Sequence, residues 1–196
     1  MYPTFDQPNQ HQHSQFFNNV VTLTYNLSQN IPQITTKSKN KIRININIDD
    51  ISKVQVLNSK NVQSYDIVCV VIKDEETLRK VCEYPVDLFK ITEWFPLKHS
   101  GATTAIQNGG FLELNLENIN QDLFNRGNVL ATVSRFRNIC ITAPDHSPQE
   151  IFVFCHKFFS IKQQRIEKAW KSVWRQCLAR KARANGEMEW EEIMLQ

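Results

Sequence analysis

The residue types with the most chemical potential fall in one stretch, FRNICITAPDHSPQEIFVFCHKFF (136–159), which holds Cys140, Asp145, His146, Cys155 and His156. Such side chains can hold zinc, or can pair a thiolate nucleophile with an imidazole base. Structural zinc usually takes two ligands two to four residues apart on a turn, twice over. Here Cys155 and His156 are neighbours on an expected strand and so project to opposite faces. A reactive thiolate needs exposure beside a base, whereas Cys155 lies between Phe154 and Phe158 in an apolar run. Asp145, His146 and Ser147 are consecutive, while triad members come from separated segments. No phosphate-binding glycine loop, HExxH or GxGxxG occurs. No catalytic, metal-binding or cofactor-binding residues are expected. The stretch reads as scaffold and the chain as a non-enzyme.

The elements around it are read from hydrophobic period. Residues 1–18 are rich in Gln, Asn, His and Pro and are expected to form a disordered leader, with His11 and His13 solvated. VVTLTYNL alternates as a strand, and in KIRININIDD Ile42, Ile44, Ile46 and Ile48 share one face. Arg43, Asn45 and Asn47 share the other, expected to be wet. KVQVL (53–57) extends the pattern, and SYDIVCVVIKDEETLRKVCEY reads as a hairpin turning at Asp74–Glu76, its second half also compatible with a helix. HSGATTAIQNGG reads as a loop and FLELNLENI as a strand. A short turn at Asp122–Phe124 is expected to break at Gly127 before a strand from Val129. TAPDHSPQE reads as a Pro-bounded turn, and IFVFCHKFF as a strand covered on both faces. Seven to nine short strands imply an all-β sandwich over residues 19–159.

Residues 160–196 change period. Ser160–Gln163 fits a capping box, and Ile166, Trp170, Val173, Trp174, Cys177 and Leu178 recur at threes and fours. Asn185-Gly186 supplies the stop, and an acidic tail follows. The net charge of +3 hides a split, because residues 157–183 carry +8 and the remainder −5. A basic amphipathic helix of this kind offers cations to phosphates or an acidic partner, and a Trp stripe either to the sandwich or to a partner's groove. The expected partner-binding residues are Lys168, Trp170, Lys171, Trp174, Arg175, Arg180 and Lys181. Five scattered cysteines read as reduced thiols, and no run approaches the length of a membrane span.

VCVVIKDEETLRKVCEYPVDLF, GFLELNLENINQDLFNRG and SRFRNICITAPDHSPQEIFVFCHKF, in this order, resemble the C-terminal half of TEA/ATTS-domain transcription factors, particularly the divergent fungal kind. The matching positions are Cys82-Glu83-Tyr84, Leu112-Glu113-Leu114, and Ile139 to Phe154 around Gln149-Glu150, within residues 65–159. The resemblance implies an immunoglobulin-like β-sandwich with added helices that binds a protein coregulator. The expected function is therefore a nuclear transcription-regulator domain acting as a protein-interaction module. The alternative is an adaptor or C2-like module of a cytoplasmic or membrane-surface assembly that uses the basic helix for anionic contacts, and the 160–183 helix is also a candidate contact for nucleic acid or an acidic partner.

Overall fold

The computed structural model describes residues 20–34, 40–93, 95–117, 119–134, 138–143 and 146–185. The expected leader (1–18) and the acidic tail lie outside the described residues. The architecture is α/β, not the expected all-β immunoglobulin-like sandwich. Among the described residues six strands form one sheet: β1 (Val20–Asn26), β2 (Lys41–Asn47), β3 (Ile67–Ile72), β4 (Leu88–Ile91), β5 (Phe111–Asn115) and β6 (Ile139–Thr142). All five pairings are parallel and the strand order is the chain order.

Parallel neighbours need crossover connections, and most of these are helices. A 3-10 helix (Ile51–Asn58) and α1 (Lys60–Gln63) join β2 to β3, then α2 (Glu75–Val81), α3 (His99–Gln107) and α4 (Gln121–Ser134) follow β3, β4 and β5. After β6 come α5 (Pro148–Phe159) and α6 (Gln163–Asn185). Crossovers of one hand that never reverse place their helices on one side of the sheet. The other side is sheltered only if the sheet curls towards a barrel. Arg43 on β2 and Glu113 on β5 show that it does. In a flat sheet their strands would stand about 14 Å apart, yet the guanidinium meets both carboxylate oxygens at 3.0 and 2.5 Å. The fold is TIM-barrel-like.

Several expected strands are helices, each for a local reason. Asp74 accepts from the Thr77 amide and caps α2, so the expected hairpin turn is a helix start. The expected loop around Gly101 is α3, and KVQVL lies in the 3-10 helix. Gly127 does not break α4: a Cβ there would meet the Phe159 ring, so the glycine lets α5 approach closely. IFVFCHKFF is α5. Ser147 and Glu150 cap it reciprocally with Pro148 in the first turn, and Ile151, Cys155 and Phe159 are buried one turn apart. Ser160, expected to open the last helix, instead closes α5 in the left-handed region (φ 55°).

The final helix forms where expected, and its apolar stripe is spent inside the chain. Ile166, Trp170, Val173 and Cys177 join the same core as the strands. β6 is the last strand among the described residues, and the Trp170 Nε1–H donates to the Ile141 carbonyl at 2.8 Å. An indole thus covers a sheet edge that no described strand pairs. Replacing Trp170 with Ala should lower the unfolding free energy by about 3–5 kcal/mol in urea titrations, and an unchanged midpoint would show that the helix is not docked.

Candidate functional site

Two polar regions stand out: the lumen of the curled sheet and the outer face of α6. In the lumen, Arg43 Nε donates to Asn45 Oδ1 at 2.8 Å, and its Nη2 lies 3.1 Å from the Cys69 sulfur. The Thr142 hydroxyl donates to Glu113 at 2.5 Å. The face read as wet on β2 is therefore partly a buried network, with Arg43, Asn45 and Glu113 inside. Burial alone would raise the Glu113 carboxyl; Arg43, Lys90 and the hydrogen bonds from Arg43 and Thr142 outweigh it and bring it down to about 2. Burial also pushes the Cys69 and Cys155 thiols up to about 12, and those of Cys140 and Cys177 well above their ordinary value. These thiols stay protonated at neutral pH and are poor nucleophiles.

The residues that opened the sequence reading are not gathered into one site. Cys140 lies in β6, and Cys155 is buried on α5 while His156 is exposed. Asp145 lies outside the described residues. Among the described residues no three His, Cys, Asp or Glu side chains come together as a metal-binding group.

On α6 the seven expected partner-binding residues divide. Trp170 is 1% exposed and Trp174 half-buried against the core. Arg180 is 2% exposed and turned inward. Its guanidinium reaches Asp87 Oδ2 (2.9 Å), Gln63 Oε1 (3.0 Å), and the carbonyls of Gln63, Tyr65 and Asp66 (3.3, 2.9 and 3.1 Å). Those groups lie at the N-terminal ends of β3 and β4, so the helix crosses beneath the barrel. Cys177 lies against Asp87 there. Lys181 pairs with Asp66 at 2.7 Å. Lys168, Lys171 and Arg175 remain: all three are exposed, and none meets an acid among the described residues.

Residues three and four apart are neighbours on a helix surface, so these three cations share one face. Gln164 precedes them on it, and exposed Lys162 and Arg165 extend the positive charge toward α5. Like charges at such spacing cost about 0.2–0.5 kcal/mol per pair. Nor does the first turn of α6 carry an acid to favour the helix dipole. The arrangement opposes helix stability and suits a polyanion.

Residues 7–144 match the sequence profile of the family described as RNase P subunit p30. The chain belongs to the RNase P subunit p30 family. A search of curated proteins found no match. A chain from the cryo-EM structure of archaeal ribonuclease P with mature tRNA has the same fold, with a TM-score of 0.58 at 15% identity. The likeness covers 83% of this chain and 82% of that one.

Membership in the p30 family corrects three expectations. The resemblance to TEA/ATTS factors does not hold: its segments map onto β3–α2, β5–α4 and β6–α5 of a parallel α/β fold. Apolar alternation common to many strands had produced it. The transcription-regulator function falls with the resemblance, and the C2-like adaptor falls with the β-sandwich. No described helix is long and apolar enough to cross a membrane.

The lumen network makes a pH prediction. The Glu113 carboxyl sits below its ordinary value of 4.5 when folded. Its contribution to stability is therefore present above about pH 4.5 and is lost as pH falls toward 2. Glu113→Gln, which leaves Arg43 buried without its counter-ion, should cost about 3–5 kcal/mol at pH 7. Denaturant titrations should show this gap between wild type and variant shrinking from pH 5 to pH 2.5, and a constant gap would contradict the ion pair.

Proposed function

We propose that this chain is a protein subunit of an RNase P-type ribonucleoprotein and holds RNA phosphates on the outer face of α6. The carrying observation is the triad of Lys168, Lys171 and Arg175, exposed and in no ion pair among the described residues, in a p30-family chain. The helix is anchored on its opposite side by Trp170 and Arg180, so the backbone that carries the cations needs no further ordering. Pre-ordered cations lose less entropy when they meet a phosphate backbone.

In this reading the chain positions RNA and does not cleave it. Its thiols are buried and held protonated, which supports a structural part in the larger enzyme. The partners are RNA and companion protein subunits. Five unpaired cysteines support a reducing compartment, the nucleus first and the cytoplasm second.

Reversing Lys168, Lys171 and Arg175 together to Glu should leave the thermal melt within a few degrees. Affinity for a folded tRNA, read by filter binding at low salt, should fall at least tenfold. The wild-type affinity should also fall steeply with salt, with a slope shallower by about two to three in the variant, one unit for each lost phosphate contact. Unchanged RNA affinity in a normally melting variant would remove α6 from RNA binding.

A further inference from the structure

At the far end of α5 from its capping box, three phenylalanines are stacked where the core no longer needs them. Phe158 is 43% exposed, and its ring centroid lies 4.7 Å from that of Phe154 and 5.0 Å from that of Phe124 on α4. Phe124 and Phe154 stack in turn at 6.0 Å with their planes 26° apart. Beneath them Phe159 is buried against Gly127. One aromatic ring is thus held in water by two partly buried rings behind it and a rigid helix pair below.

The charge around it narrows what it suits. The Lys157 ammonium lies over the Phe158 ring, 5.4 Å from its centroid, where a stacking base would displace it towards a phosphate, and His156 beside it is exposed. The chain then reverses at Ser160 and leads directly into Lys162 and Arg165. The acid of α5, Glu150, is held by Ser147 about two turns away. On α4 the single acid, Asp122, has a cation one turn on, Arg126, whose guanidinium donates to the backbone carbonyls of Asp122, Ile91 and Thr92. An apolar protein segment would gain nothing from this belt of cations, whereas a nucleic acid uses both parts: bases stack on aromatic rings while cations track the phosphates.

We propose that Phe158 is a stacking platform for an unpaired RNA base, placed so that the adjoining strand runs along Lys157, Lys162 and Arg165 toward the triad on α6. The site rests on the RNA-binding reading above and adds the class of RNA: a single-stranded segment joined to, or flanking, the part held by α6. Stacking on one ring is sequence-tolerant, because every base has a π-face.

The test uses the full chain with two probes, a single-stranded oligouridylate of twelve nucleotides and a blunt RNA duplex of the same length. Phe158→Ala should weaken oligouridylate binding about tenfold and leave duplex binding unchanged. Phe158→Leu, which keeps an apolar side chain and the packing on Phe154, should behave like the Ala variant; Phe158→Tyr should restore wild-type affinity. Equal affinity of wild type and both weakened variants for oligouridylate overturns the proposal. So does sedimentation showing that the wild type self-associates and the Ala variant does not, which would make the patch an interface between copies. If the α6 charge reversal lowers duplex affinity while the Phe158 variants change nothing, this inference alone fails. If neither set changes RNA affinity, the RNA-binding reading fails as well.

Discussion

The arrangement of the described chain depends on one buried contact, the guanidinium of Arg180 beneath the barrel. It donates to Asp87 Oδ2, the side-chain oxygen of Gln63 and three backbone carbonyls at the strand ends. Those carbonyls belong to residues leading into β3, and Asp87 also accepts from the Val68 amide at 2.8 Å. One side chain from the last helix therefore ties α1, β3 and β4 together across more than 90 residues of sequence. Removing one partner of such a buried pair is strongly unfavourable because the other is left uncompensated. The contact sets the rotation of α6 about its own axis, and with it the direction in which the remaining cations point.

That rotation gives the helix two different faces from one amphipathic pattern. Trp170, Val173, Cys177 and Arg180 go inward, closing the β6 edge and the floor of the barrel. Lys168, Lys171 and Arg175 go outward, where their mutual repulsion is tolerated because the inward face holds the helix in place. A basic helix on a flexible tether would relieve such repulsion by fraying. Here the charge is fixed relative to the barrel, and polyanion recognition gains from a surface that is already in place.

Part of this was legible in the residues. The strands at VVTLTYN, KIRININ and FLELN and the final amphipathic helix follow from apolar periodicity, and the separation of charge into a basic C-terminal segment is visible in the composition. The parallel order was not legible, because a strand's alternation does not tell which neighbour it pairs with. Arg43 misled for a related reason: a charged residue alternating with isoleucines looks solvated, and only Glu113, far away in sequence, makes it an internal group. IFVFCHKFF is apolar enough for either period, and what decided it was Ser147 and Glu150 just upstream. Arg180 looked like one more surface cation, since nothing in the local spacing reveals that Asp87 waits beneath the barrel. Phe158 left no signal of its own, being one apolar residue in an apolar run.

The most direct measurement of the central claim, that α6 presents a fixed cationic face to RNA, is the acetylation rate of individual lysines with and without bound tRNA, read by mass spectrometry. Lys168 and Lys171 should be protected severalfold by RNA. Lys73 and Lys98, exposed after the C-terminal ends of β3 and β4, should react at unchanged rates. Protection of Lys73 and Lys98 with Lys168 and Lys171 still reactive would place the RNA at the other end of the barrel and contradict the account.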